Sequence, residues 1–163
     1  MSRLITIIFL TMSLQGFACD QDNKVAAVEA VKAVMNQLHT AASKADGETY
    51  FNLFIDSAIY IGTDAGETWT IAEFKAFAEP YFSKGRGWTY VPTEQNVYLS
   101  PDEKTAWFDE LLWNDSYGVS RGTGVLIKTE QCWKFAQYHL TFPIPNDLAK
   151  DITTKIKNYS KKK

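Results

Sequence analysis

The chain has 163 residues, 45% hydrophobic and 14% aromatic, with a formal net charge of -2. That is enough apolar mass for one domain with its own core, without a metal or a disulfide framework. The near-neutral balance excludes a nucleic-acid binder, which needs a basic face or stripe.

Residues 1–18 read as an export segment outside the fold. Arg3 supplies the positive start, Leu4 to Leu14 the apolar run, and Gly16-Phe17-Ala18 a small-residue cleavage site. The run is too short for a stable bilayer span. Two outcomes follow: cleavage after Ala18 with release beyond the inner membrane, or a lipoprotein acylated at Cys19. The segment before Cys19 resembles a lipobox, with Gly16 where Leu is usual. Residues 19–24 then form a polar spacer, and any membrane association runs through the lipid. If Cys19 is not acylated, it is available to bridge to Cys132, the only other cysteine. His39 and His139 are isolated from each other and from both thiols, so no metal site is predicted. Without a Gly-rich phosphate loop, no cofactor is predicted either.

Lys24 to Lys44 reads as a helix, with Val28, Val31, Met35, Leu38 and Ala42 at 3–4 spacing and His39 beside that stripe. Asp46 caps a short second helix carrying Tyr50, Phe51, Leu53 and Phe54. Ser57 to Ile61 is a short strand, and Gly62 to Gly66 a loop. Thr70 and Glu73 form a capping box for a third helix, which Pro80 should kink or end near Glu79. From Trp88 the period changes to two. Strands are expected at 88–99, 104–114, 119–128 and 132–142, joined by connections short enough for hairpins, hence an antiparallel meander. Several strands are apolar on both faces. The helices can cover one face, and a second copy of the chain is the simplest cover for the other. After Asn146, Leu148, Ile152 and Ile156 at i, i+4, i+8 suggest a weak amphipathic helix in a basic tail, residues 147–163.

The stretches Arg121-Gly-Thr-Gly-Val-Leu-Ile-Lys128 and Trp133-Lys-Phe-Ala-Gln-Tyr-His-Leu-Thr-Phe-Pro-Ile-Pro-Asn146 resemble the end of a SnoaL-like domain. Ile61-Gly62-Thr63-Asp64, with Glu67 and Trp69, resembles the loop after the first strand in that group. The likeness covers residues 25–146. It implies the α+β, cone-shaped fold of nuclear-transport-factor-2-like proteins, with three N-terminal helices on a strongly curved antiparallel sheet. Relatives include ketosteroid isomerases, cyclases, dehydratases and non-catalytic association modules. The isomerases' tyrosine and two aspartates fall on Leu38, Gly62 and Gly124 here, none of which can move a proton through its side chain. Asp64, two residues from the base position, is a candidate displaced base.

Strand register gives a test independent of the resemblance. If residues 129–131 make a three-residue loop, Arg121 lies directly opposite His139, and Thr123 opposite Gln137. An even register in the preceding hairpin adds Asp109 to that face. The expected pocket is therefore a polar row of Asp109, Arg121 and His139, with Gln137, inside walls of Trp107, Trp113 and Phe135, and with Asp64 and Trp69 at the mouth. Arg121 would bind a carboxylate, and His139 would move a proton near neutral pH. The alternative for these residues is structural: an Arg121–Asp109 ion pair and a hydrogen-bonded core histidine. Three functions follow: binding of a small, partly apolar, anionic ligand; an isomerase, dehydratase or cyclase using His139 or Asp64; or a non-catalytic assembly module. A homodimer is expected in each.

Overall fold

The longest helix, α1 (Gln15–Ser43), turns a single apolar stripe toward the rest of the chain. Val31, Met35, Leu38, Ala41 and Ala42 are buried on it, close to the spacing expected from the sequence. The computed structural model describes residues 15–160, and their side chains from Asn23 onward. Most of the export segment and the Cys19 side chain lie outside the described residues. Cys132 carries a free, exposed thiol.

After α1 come α2 (Gly47–Asn52), β1 (Phe54–Ile61), β2 (Thr68–Thr70), α3 (Ile71–Phe82), β3 (Val91–Leu99), β4 (Thr105–Asn114), β5 (Gly118–Lys128), β6 (Trp133–Thr141) and α4 (Asn146–Ser160). Asp46 caps α2 by accepting from the Thr49 amide, and the Thr70–Glu73 capping box opens α3. Pro80 does not stop α3, which continues to Phe82. The reason is tertiary: the Phe82 ring is buried against Tyr50 and Trp88, so packing outweighs the missing amide.

The four hairpin-linked strands form the expected meander, but the sheet is mixed, not purely antiparallel. Its order is β2-β1-β6-β5-β4-β3, and β1 runs parallel to β6. β2, a strand beyond those expected, follows the Gly62–Gly66 loop and pairs with β1, Tyr60 opposite Trp69. The core lies between the sheet and α1, α2 and α3. Tyr50 stands at its centre, ringed by Phe51, Phe54, Phe74, Phe82 and Trp88. The tail forms α4, on which no residue is buried. No described helix is long and apolar enough to cross a membrane.

Candidate functional site

Alternation along the strands decides which side chains look into the cone. β4 buries Ala106, Phe108, Glu110 and Leu112 and turns Trp107, Asp109, Leu111 and Trp113 outward. β5 buries Ser120, Gly122, Gly124 and Leu126 and turns Arg121 and Thr123 outward. The last strand, β6, buries Phe135, Tyr138 and Leu140 and turns Gln137, His139 and Thr141 outward. The loop between β5 and β6 holds four residues, 129–132, and β6 bulges at Ala136. Together these shift the register by two. Arg121 pairs with Thr141 and His139 with Thr123, correcting the expected Arg121–His139 pair. Asp109 pairs with Thr123, as the even register requires.

Asp109, Arg121, Gln137 and His139 thus do share a face, but the one turned away from the helices. Trp107 and Trp113 stand on it, 46% and 48% exposed, and neither lines the main aromatic cavity, although Trp113 borders an adjoining recess with Asp115. Asp109 accepts from Asn96 at 3.3 Å and Tyr98 at 3.4 Å; it makes no ion pair with Arg121. Phe135 is wholly buried core. Asp64 is exposed and folds back to accept from the Gly66 amide at 2.9 Å, an Asx turn. Of the expected pocket residues, Trp69, placed at the mouth, alone lines the cavity found inside.

That cavity, about 310 Å³, opens at the wide end of the cone. Its helix side is a raft of near-parallel rings: Tyr60 stacks on Phe74, and Trp69 on Phe74 and Phe77. Across from it, Tyr117 at the end of the β4–β5 turn stacks on Phe142 beyond β6, with ring centroids 4.9 Å apart. Trp88 and Tyr90 close the third side. Glu67 is the one charged residue of the lining. A side chain at position 62 would collide with the Glu67 carboxylate, so Gly62 is what lets that carboxylate reach the cavity.

Below the cavity, a small chamber of about 10 Å³ shares Tyr60, Trp88, Tyr90 and Leu140 with it and is lined by His39 and Tyr138. Behind these lies Glu110, fully buried. A lone buried carboxylate costs several kcal/mol, and here three donors meet it. His39 Nε2 donates to Oε1 at 2.9 Å, the Tyr138 hydroxyl to Oε1 at 3.0 Å, and Gln95 Nε2 to Oε2 at 3.0 Å. Gly122 pairs with Glu110 across the sheet; a Cβ there would come within 2.6 Å of both Glu110 Oε1 and the Tyr138 oxygen. Burial, and then the Glu110 charge, hold the Tyr138 phenol well above its usual range. Burial does the same for Tyr60. A histidine oriented by a carboxylate, beside a phenol, is able to take up and return a proton. No group of three His, Cys, Asp or Glu side chains among the described residues is placed to hold a metal.

Sequence reasoning missed His39, Glu110, Tyr138 and Gln95. One signal was available: Glu110 shares the parity of Ala106, Phe108 and Leu112, a carboxylate on an otherwise apolar face. His39, read alone, fits a cation near a helix C-terminus, and nothing local ties it to a strand 71 residues away.

A family model described as SnoaL-like domain matches residues 31–145. No curated protein sequence matches the chain. Among solved structures, a protein from Novosphingobium aromaticivorans provisionally assigned as a scytalone dehydratase superposes with a TM-score of 0.65 at 13% identity, over 76% of this chain and 89% of that one. A provisional dehydratase of the nuclear-transport-factor-2-like family from Streptomyces avermitilis gives 0.62 at 15% identity, over 75% and 99%. A nuclear-transport-factor-2-like protein with a cystatin-like fold from N. aromaticivorans gives 0.61 at 14%, over 86% and 97%. At these identities the likeness establishes the fold alone.

Proposed function

Since the chain belongs to the SnoaL-like domain family, we propose that it binds a small, largely apolar ligand in the aromatic cavity at the wide end of its cone. One observation carries this: eight aromatic side chains, from β1, β2, α3, the 88–90 segment, the β4–β5 turn and the end of β6, converge on a single recess of about 310 Å³. Tyr60 and Phe74 are buried at its base, while Phe77, Tyr117 and Phe142 stay exposed around it, so the recess is open to a molecule from solvent. The anionic ligand expected from Arg121 loses its support, because that guanidinium is on the other face. A thermal-shift screen of small aromatic and alicyclic compounds tests the reading. Hits lost in Phe77→Arg and kept in Trp107→Arg support it; hits indifferent to Phe77→Arg overturn it.

A second reading, an acid–base enzyme of the dehydratase or isomerase type, is favoured by the His39–Glu110 pair at the foot of the cavity. His39 would exchange the proton, Glu110 would fix the ring's orientation, and the aromatic walls would limit access of water. The fold neighbours assigned as dehydratases make this class a sensible first assay. Turnover abolished by His39→Gln but not by His139→Gln supports it, and turnover surviving His39→Gln overturns it.

We also propose that the outward sheet face, with Trp107, Trp113, Val91 and Val119 exposed, is covered by a second copy, and that residues 1–18 direct export.

A further inference from the structure

We infer that the cavity selects a small organic cation, an ammonium-bearing molecule with an apolar body. This deepens the ligand-binding proposal and rests on it. Aromatic faces carry partial negative charge, and a desolvated cation over a ring gains about 0.5–2 kcal/mol. Eight of the twelve lining residues are aromatic, and Glu67 is the one charged member; no lysine or arginine lines the recess. An anion entering it would meet the Glu67 carboxylate, with no lysine or arginine in the lining to offset it.

Glu67 is placed for this role. Its amide donates to the Asp64 carbonyl at 2.9 Å, and its carbonyl accepts from the Gly62 amide at 2.8 Å, which fixes the residue at the rim. Its Oε2 accepts from the Asp64 amide at 3.1 Å, while Oε1 accepts no hydrogen bond among the described residues. Burial chiefly holds the Tyr60 phenol above its usual range, with the Glu67 charge the smallest of the contributions. The adjoining recess, which shares Trp88 and Tyr117, repeats the pattern with Asp115 as its one charged lining residue. Each of the two recesses thus has one carboxylate and no lysine or arginine in its lining.

Three probes of one shape and different charge decide the matter: choline, neutral 3,3-dimethylbutan-1-ol and anionic 3,3-dimethylbutanoate, titrated calorimetrically into the full chain and into Glu67→Gln. The glutamine keeps an oxygen for the Asp64 amide, so the loop stays formed. Choline is expected to bind about tenfold or more tighter than the alcohol, about 1.4 kcal/mol, and the carboxylate weakest. Glu67→Gln is expected to remove most of the choline preference and leave the alcohol unchanged. Equal or tighter binding of the alcohol overturns the cation assignment and leaves the ligand cavity standing; so does a choline preference untouched by Glu67→Gln. Binding of none of the three overturns both. Should Glu67→Gln misfold, the ranking on the unaltered chain decides alone.

Discussion

His39, near the C-terminal end of α1, and Glu110, midway along β4, meet at 2.9 Å across the core although 71 residues separate them in sequence. The pair joins the longest helix to the middle of the sheet and stands directly beneath the aromatic cavity. Removing one partner strands the other donors in a dry interior. Glu110→Leu is therefore expected to destabilise the fold by about 3–5 kcal/mol, read as a fall in the urea midpoint. Tyr138→Phe, which removes one of three donors, should cost about 1–2 kcal/mol. Equal small effects for both would mean the cluster is loosely made.

Gly122 gives a second, independent handle. A methyl group at that position would press on both Glu110 Oε1 and the Tyr138 oxygen. Gly122→Ala should cost about 1–3 kcal/mol, even though alanine ordinarily suits a strand interior better than glycine. Circular dichroism melts of the two proteins are sufficient to check it.

The buried phenols set a pH limit. Tyr50, Tyr60 and Tyr138 all have folded pKa values raised above the ordinary 10, in each case chiefly by burial. A raised folded pKa means the unfolded chain releases its protons first. Their contribution to stability is thus fully present below about pH 10 and is lost as pH climbs from there toward the folded values. Stability should fall steeply above pH 10. Tyrosinate absorbance should show these three among the eight tyrosines titrating together with unfolding, not before it. Smooth titration of all eight with the fold intact would contradict the burial.

The elements themselves were largely legible. The capping residues Asp46, Thr70 and Glu73 act locally, and the hairpins follow from short connections, so both survive the move from sequence to structure. The faces were not legible. β4 is apolar on both sides, and hydropathy gave the larger tryptophans no less claim to the interior than Ala106 and Phe108. What decides is room: Glu110, Tyr138 and Phe108 crowd the inner face over Gly122 and Gly124, where β5 has no side chain to place, so that side is the inside. A four-residue loop and a bulge at Ala136 then moved the β5–β6 register by two. Arg121 and His139 kept a common face and lost their direct pairing.

The outward face leads to a prediction about assembly. Light scattering of the chain lacking residues 1–18 should give a dimer, and Trp107→Glu with Trp113→Glu should give a folded monomer. A wild-type monomer at high concentration would rule out the second copy as cover.

Chemical-shift mapping tests the central claim, that the cone interior and not the outward face receives the ligand. Titrating an isotope-labelled sample with choline or the best thermal-shift hit should move the Trp69 indole and the Gly62, Thr63 and Tyr117 amides together, leaving Thr123, Arg121 and His139 still. Shifts gathered on Arg121, Thr123 and His139, with the Trp69 indole unmoved, would contradict it.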